Sequence, residues 1–201
     1  MTQLLLIRHA ENDYVRSGRL AGWTPDVHLN DDGKRQAEAL GQRLAAVKLQ
    51  AVYSSPLERA IETAQAVVQH HSHLKLQIEE DIGEVHYGQW TGQALRQLTR
   101  TRLWRIVQHY PSRARFPEGE SIREMQARAI GAMERIAGHH VAGEVAVVSH
   151  ADVIKAVVAH YAGMPLDMFQ RIVIAPASIS IIGVHKMTIN IVQLNDTSHY
   201  G

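Results

Sequence analysis

The chain has 201 residues, of which 45% are hydrophobic, so it can bury one substantial core and is most simply a single domain over residues 1–201. Its 21 Lys and Arg residues nearly balance 20 Asp and Glu residues, and the net charge of +1 gives no overall field that would attract nucleic acid or an anionic membrane. The absence of cysteine excludes disulfides, a thiolate nucleophile and a cysteine-ligated metal site, and it agrees with a cytoplasmic location. The first apolar run, at 4–7, is too short for a signal-peptide core or a membrane span.

The predicted elements alternate between strand and helix along the chain. Apolar runs predict strands at 4–8, 51–54, 74–78, 144–149, 178–184 and 188–194. Helical spacing of apolar residues predicts helices at 31–47, 56–69, 120–137 and 151–161. Asn30 is the expected N-cap of the first helix. This order predicts a three-layer α/β/α sandwich with a mainly parallel sheet that ends in a hairpin or in two adjacent strands.

The stretch 82–118 does not follow the alternation of strand and helix. We expect it to be an insertion that covers the active-site end of the sheet as a lid. Loops of this kind set substrate specificity in many enzymes, because they border the site while the scaffold holds it.

An Arg8-His9 pair lies directly at the end of the first predicted strand. In an open α/β sheet the carboxyl ends of the strands are where ligands bind. A cation beside a nucleophilic imidazole at that place favours phosphate chemistry. Taken alone, the pair is equally compatible with a strand end that only faces solvent.

The segment SSPLERAIETA, residues 54–64, predicts a helix N-terminus beside a second arginine. Ser55 is placed to cap this helix, Pro56 suits its first position, and Glu58 has the spacing of a capping box. Arg59 then lies in the first turn, where the helix N-terminus already favours an anion. The segment therefore predicts a second part of an anion site.

The segment VVSHADVIKA, residues 147–156, repeats this layout after another buried strand. Ser149 is the expected cap, His150 begins the helix, and Asp152 is interpreted as an acid that caps the helix. Since the carboxyl ends of parallel strands meet at one edge of a sheet, the polar side chains at these strand ends should converge. Those side chains are Arg8, His9, Arg59 and His150.

The segment IGEVHYGQWTG, residues 82–92, supplies an acid that the basic cluster lacks. Glu84 follows a predicted strand and precedes Gly88 and Gly92, which suit a tight loop, so its carboxyl can face the pocket as a proton donor. Beside a phosphate dianion, like-charge repulsion would raise the pKa of Glu84 toward the range in which an acid is useful.

Together these segments resemble the histidine phosphatase superfamily, also called the phosphoglycerate-mutase-like family. The segments that carry the resemblance occur in the family's order and are the Arg8-His9 pair, the Arg59 segment, the Glu84 loop, the PEGES run at 117–121 and the His150 segment. The closing LNDTSH, residues 194–199, is similar to the tail of the short bacterial phosphatases of this family. The resemblance implies a phosphoglycerate mutase-like fold.

The resemblance also implies a mechanism. His9 would attack phosphorus and form a phosphohistidine, and Glu84 would protonate the leaving alcohol and then help to activate water. Positive charge on the other residues would neutralise the phosphoryl oxygens, which requires no metal and no other cofactor. The phosphate- and substrate-binding residues that it implies are Arg8, Asn12, Gly22, Arg59, His150 and Ala151. The expected substrate is a small phosphorylated metabolite.

Four positions depart from the common family pattern. Ala10 replaces a usual Gly, and Asn12 replaces a usual Ser or Thr, although its amide can still donate a hydrogen bond to phosphate. Ala151-Asp152 replaces two glycines. The acid at this place would either repel phosphate or cap the helix, and we favour the cap.

Other functions stay open at this point. A phosphoglycerate mutase-type phosphomutase is one, although the arginine pair and proline-rich stretch of the larger mutases are not found here, and FPEGES at 116–121 favours the compact phosphatases. A phosphate-ester binding protein without catalysis is another, although a proton donor such as Glu84 gives a binder no advantage. A dinucleotide-binding Rossmann domain is excluded, because no glycine-rich turn follows the first strand.

Several side chains carry weaker hypotheses. A histidine cluster follows a helix end without suitably spaced carboxylate or cysteine ligands, so we interpret it as stabilising that end rather than binding metal: His70, His71 and His73. Four aromatic residues either line a substrate pocket or pack in the core or lid: Trp23, Trp90, Trp104 and Phe116. Four arginines either bind a second anionic group or face solvent: Arg16, Arg19, Arg113 and Arg115. An edge strand of the C-terminal region could pair two subunits into a homodimer.

Overall fold

The computed structural model describes residues 1–140 and 142–200. In these ranges the strands are β1 Thr2–Arg8, β2 Leu49–Ser54, β3 Leu76–Ile78, β4 Gly143–Ser149, β5 Ile179–Val184 and β6 Ile189–Asp196. The helices are α1 Asp13–Arg16, α2 Asp31–Leu44, α3 Glu58–Val68, α4 Leu95–Leu98, α5 Arg102–His109, α6 Ile122–His139 and α7 Ala151–Tyr161. None of the helices in this described part is long and apolar enough to cross a bilayer.

The strands form one sheet in the order β3-β2-β4-β1-β5-β6. The strands β3, β2, β4 and β1 run parallel, whereas β5 and β6 pair antiparallel as a terminal hairpin. The prediction of a mainly parallel sheet that ends in a hairpin is confirmed. The strand β6 borders the sheet at one end, and pairing of two subunits through it stays a prediction.

Helices cover both faces of the sheet. Successive side chains of β1 point to opposite faces, and apolar side chains on each face pack against helices. Leu4 packs in a core cluster with Met133 of α6 and Val157 of α7. Leu5, its neighbour, packs in a separate cluster with Leu40 of α2. The predicted three-layer α/β/α sandwich is therefore confirmed, and its sheet holds the ends of the parallel strands at one edge.

Two predicted helices begin close to their expected positions because polar side chains cap them. The Asn30 side chain accepts a hydrogen bond from the backbone N–H of Gly33 at 2.8 Å, so α2 begins as predicted, although it ends at Leu44 rather than at 47. A Cβ at Gly33 would lie 1.9 Å from the carbonyl oxygen of Glu11, which explains why glycine occupies this turn. The helix α6 begins at Ile122, after a capping box that Ser121 forms with Glu124.

The predicted capping box at the start of α3 is wrong. The helix begins at Glu58, two residues after Pro56, and its N-cap Leu57 makes no side-chain cap hydrogen bond. The hydroxyl of Ser55 lies 2.8 Å from Nε2 of His150 instead. This hydroxyl therefore makes a long-range contact inside the site, and its local partner is the N–H of Leu57, at 3.4 Å, rather than that of Glu58.

The predicted cap of α7 is wrong for the same reason. The N-cap is His150, without a side-chain cap hydrogen bond, and the Ser149 hydroxyl donates to the carbonyl oxygen of Ile82 at 2.7 Å. The Asp152 carboxylate makes no cap either: it accepts hydrogen bonds from the Tyr87 hydroxyl at 3.2 Å and from Lys155 Nζ at 3.1 Å.

The stretch 82–118 contains α4, α5 and short 3₁₀ turns at Gly88–Trp90 and Pro111–Arg113. Its first part packs closely against the PEGES run at 117–121: a Cβ at Gly88, whose φ is +52°, would lie 2.0 Å from the carbonyl oxygen of Pro117. A Cβ at Gly119 would lie 2.1 Å from the carbonyl oxygen of His86. Because Gly88 and Gly119 have no Cβ, the backbone at 86–88 can lie directly against the backbone at 117–119. This contact gives the PEGES run a structural role.

Candidate active site

The predicted basic residues converge at one edge of the sheet. Arg8 is the last residue of β1, and it pairs in register with Ser149 at the end of β4. Arg59 lies in the first turn of α3, directly after β2. Its Nε donates to Nε2 of His9 at 3.4 Å, and the rings of His9 and His150 have centroids 5.1 Å apart. The strand order thus places His9, Arg59 and His150 in mutual contact.

His9 is held as a neutral imidazole whose Nε2 carries no proton. Its side chain is buried, and Nδ1 lies 2.8 Å from the carbonyl oxygen of Ala10, a contact that requires the proton on Nδ1. Burial lowers the pKa of His9 well below its ordinary value, and the charges of Arg59 and Arg8 lower it further. Nε2 therefore carries a lone pair, which is the form that a nucleophile needs.

Arg59 is a buried cation that the backbone holds in place. Only 1% of its surface is exposed, and Nη2 donates to the carbonyl oxygen of Gly22 at 2.8 Å. Burial is the main effect that lowers the pKa of Arg59, yet a guanidinium stays charged at neutral pH. Within the described residues no carboxylate forms an ion pair with it, and its Nη1 has no hydrogen-bond partner.

Two further N–H donors at this edge lack partners in the described part of the chain. Arg8 donates from Nη1 to the carbonyl oxygen of Ile174 at 2.7 Å, and its Nε has no hydrogen-bond partner. Asn12 is fully buried; its Oδ1 accepts from the N–H of Val15, and its Nδ2 is unsatisfied. Buried donors without partners are costly, so their concentration here indicates a site for an anion.

His150 lies behind this cluster rather than on the cavity wall. It is fully buried, with Nδ1 3.5 Å from Arg59 Nη2 and 3.7 Å from Glu84 Oε2. Burial, followed by the charges of Arg59, His9 and Arg8, lowers the pKa of His150 well below its ordinary value. The ring is neutral in this state, and a nearby anion would favour its protonated form.

The carboxyl group of Glu84 has an unusually high pKa. This residue follows a 3₁₀ turn at Glu80–Ile82 rather than a strand, and its Oε1 accepts from the N–H of Val85 at 2.9 Å. Burial raises the pKa of Glu84 to about 7, and the negative charge of Asp152 adds to this effect while Arg59 opposes it. The pKa is thus raised by burial before a phosphate adds its repulsion.

The backbone of Glu84 is fixed by two residues whose roles sequence reasoning missed. Arg128 of α6 donates to the carbonyl oxygens of Asp81, Gly83 and Glu84 at 2.8–2.9 Å, and its Nη2 pairs with Glu120 at 2.6 Å. Trp23 donates from Nε1 to the same Glu84 carbonyl at 2.7 Å. Both act on backbone oxygens, which no side-chain spacing in the sequence reveals.

A cavity of about 230 Å³ joins most of the predicted site residues. Its lining includes Arg8, His9, Asn12, Arg59, Glu84, Ala151 and Asp152. Gly22 and His150, which were predicted to bind phosphate, do not line this cavity; Gly22 contributes its carbonyl to Arg59. Of the eight predicted catalytic or binding residues, six line this cavity, and the other two, Gly22 and His150, contact Arg59.

Some of the residues with weaker hypotheses line a cavity, and others form ion pairs away from it. Arg19 lines the cavity, whereas Arg16 pairs with Glu11 and Asp32, and Arg115 pairs with Glu124. Trp90 and Phe116 are buried in the core cluster, and they also border a second cavity together with Trp104. Among the residues that the structure describes, no group of three or more His, Cys, Asp or Glu side chains is arranged to hold a metal ion.

Comparison with known proteins agrees with this geometry. The family model of the histidine phosphatase superfamily (branch 1) matches residues 4–197. Phosphoserine phosphatase 1 of Hydrogenobacter thermophilus is 32% identical over all of this chain and 95% of that protein. An acid phosphatase of Mycobacterium tuberculosis is 30% identical over 98% of this chain and 94% of that protein.

A solved structure leads to the same family. Bacillus stearothermophilus YhfR is 30% identical and superimposes with a TM-score of 0.92, over 99% of each chain. The match of the family model covers nearly the whole sequence and includes every residue that meets at the cavity. The chain is an enzyme and belongs to the histidine phosphatase superfamily, branch 1.

Proposed function

We propose that the protein hydrolyses a phosphomonoester of a small metabolite through a phosphohistidine on His9. The observation that carries this proposal is a neutral imidazole on the wall of a cavity that is also lined by three residues with an unpartnered N–H donor, counted among the described residues: Arg8, Asn12 and Arg59. A phosphoryl group fits both features, because it accepts several hydrogen bonds and is attacked by a nitrogen lone pair. The two relatives named as phosphatases support the same reaction.

In the first step the Nε2 lone pair of His9 attacks phosphorus, and the bond between phosphorus and the ester oxygen breaks. The electron pair of that bond goes to the leaving oxygen, which takes a proton from Glu84. Arg8, Arg59 and Asn12 donate hydrogen bonds to the phosphoryl oxygens through their free N–H groups. His150, once protonated beside the dianion, adds a further positive charge.

In the second step water attacks phosphorus while the Glu84 carboxylate takes one of its protons. The bond between phosphorus and Nε2 breaks, and its electron pair returns to His9. Inorganic phosphate leaves, and Glu84 is protonated again for the next cycle. Its pKa of about 7 suits both roles, because the carboxyl can donate and accept a proton near neutral pH.

The proposal is tested by hydrolysis of para-nitrophenyl phosphate with EDTA present. We expect His9→Ala to lose at least about 10³-fold in kcat, because the nucleophile is removed. His71→Ala is the matched control, since His71 is similarly buried, at 4% exposure against 3% for His9, and lies outside the cavity. Folding of each variant is checked by its melting temperature.

A trapping experiment separates hydrolysis from binding and from phosphoryl transfer. We expect the wild type to form a phosphoprotein that is labile in acid and stable in base, and His9→Ala to form none. Retained hydrolysis by His9→Ala would overturn the proposal. Saturable binding without any phosphoprotein would instead identify a binding protein, and a stable phosphoprotein that only passes its phosphoryl group to a second alcohol would identify a mutase.

A further inference from the structure

A second cavity lies directly beside the cavity that holds His9. It has a volume of about 290 Å³, and its lining shares several residues with the first cavity. The shared residues are Leu20, Tyr87, Leu95 and Asp152. The two cavities are therefore neighbours, and the second lies beside a ligand whose phosphate occupies the first.

The second cavity has an aromatic wall. The ring of Phe116 lies 5.0 Å from that of Tyr87 and 5.3 Å from that of Trp90, measured between centroids. Trp104 stacks on Trp90 at 6.3 Å and completes this wall. Aromatic rings that pack against one another give a rigid apolar surface, which favours a bulky apolar ligand group.

The charges on the second cavity are already paired. Its charged lining residues, within the described part of the chain, are Asp152 and Lys155, and their side chains meet at 3.1 Å. Lys155 also donates to Gln170 at 3.1 Å, and Asp152 accepts from Tyr87. A carboxylate on the ligand would find no unpaired cation in this cavity, in contrast to the free donors of the first.

We propose that the second cavity binds the alcohol part of the substrate, and that this alcohol is bulky, uncharged and apolar rather than a short chain with a carboxylate. The inference rests on the proposed phosphatase function and names the substrate class of that same site. Glu84, the proposed proton donor, lines the first cavity, and Tyr87, from the same loop, lines both cavities. Asp152 and Lys155 then act as specificity determinants.

The test compares kcat/KM for benzyl phosphate, ethyl phosphate and phosphoserine. Benzyl and ethyl alcohols are leaving groups of similar basicity, so their ratio reports binding of the aromatic ring rather than chemistry. We expect the wild type to prefer benzyl phosphate to each of the other esters by roughly tenfold or more. A benzyl-to-ethyl ratio near one, or a preference for phosphoserine, would overturn the inference.

Variants of α5 locate the effect. Gln108→Trp fills the second cavity and should bring the benzyl-to-ethyl ratio toward one, whereas His109→Trp, an exposed neighbour outside the lining, should leave the ratio as in the wild type. Trp104→Leu, which removes part of the aromatic wall, is a second variant that should also lower the ratio. An unchanged ratio in both cavity variants would place the alcohol elsewhere.

The same assays separate this inference from the proposed function. The wild type could hydrolyse para-nitrophenyl phosphate in a reaction that depends on His9 and yet show no preference for benzyl phosphate. That result would support the proposed phosphatase function and overturn only the inferred substrate class. No turnover of any ester by the wild type would overturn both.

Discussion

Burial leaves one residue of this site without its proton and another with it, although in both cases it disfavours the charged form. It disfavours charge on both side chains, so it keeps His9 neutral and raises the pKa of Glu84 to about 7, which leaves much of this carboxyl protonated near neutral pH. A neutral imidazole is the nucleophilic form, and a protonated carboxyl is the proton-donating form. One physical effect therefore sets both residues in their reactive states near neutral pH.

Glu84→Gln should lower kcat according to the leaving group. For an alkyl phosphate, whose alkoxide needs a proton, we expect a loss of roughly 10²–10⁴-fold, and for para-nitrophenyl phosphate a much smaller loss. The measurement is kcat for both esters. Glu80→Gln is the control, because Glu80 is an exposed carboxylate four residues earlier in the same segment. Equal losses for both esters would contradict a role of Glu84 as proton donor.

At the scale of elements, the backbone of Glu84, the proposed proton donor, is held between the loop at Trp23 and helix α6. Arg128 of α6 joins three carbonyl oxygens of the segment 81–84 to the carboxylate of Glu120. The Arg128 and Glu120 side chains are 18% and 13% exposed, so this ion pair is mostly removed from water. The position of Glu84 thus depends on a helix that contributes no group to the cavity wall.

Arg128→Met should damage both stability and proton donation. Leaving the Glu120 carboxylate unpaired should lower the free energy of unfolding by about 3 kcal/mol, measured by urea titration. If Arg128 positions Glu84, kcat should fall more for an alkyl phosphate than for para-nitrophenyl phosphate under conditions where the variant is folded.

Arg135→Met is the control for this prediction. It removes an arginine of the same helix that pairs with Glu79 and Asp81 and is 49% exposed, so it should cost less than about 1 kcal/mol. A similar loss of stability from both variants, or equal loss of kcat for both esters in Arg128→Met, would show that Arg128 has no positioning role.

The elements and the main site residues were predictable because their signals are local. Apolar runs marked the strands; Arg8 is the last residue of a strand, and His9 and His150 each follow a strand directly. The caps at Ser55 and Ser149 were mispredicted because long-range partners occupy those hydroxyls. The roles of Arg128 and Trp23 were missed because they act on backbone oxygens, which leave no pattern in the side chains.

At the scale of the whole molecule, the site is supported by two cores. One core packs under α6 and α7 and the other under α2 and α3, and the sheet between them carries the strand ends. This support is needed because the site itself opposes folding: it buries the Arg59 guanidinium, the unsatisfied Asn12 amide and the Glu84 carboxyl. The cost from Glu84 depends on pH, which makes it measurable.

In the unfolded chain the Glu84 carboxyl titrates near its ordinary pKa of 4.5, whereas in the folded protein it titrates at about 7. Between these two values the unfolded chain has released a proton that the folded protein keeps. Glu84 therefore makes folding less favourable as pH rises from about 4.5, and this loss levels off above about pH 7.

Glu84→Gln removes this titration, so the variant should gain stability relative to the wild type as pH rises. The difference in the free energy of unfolding should be larger at pH 8 than at pH 4.5 by about 3 kcal/mol, which is the pKa shift expressed as energy. Urea titrations of both proteins at several pH values measure it, and the titrating histidines are present in both. A difference that does not change with pH would show that the Glu84 carboxyl is not held in its protonated form, and the acid chemistry assigned to it would then lack its physical basis.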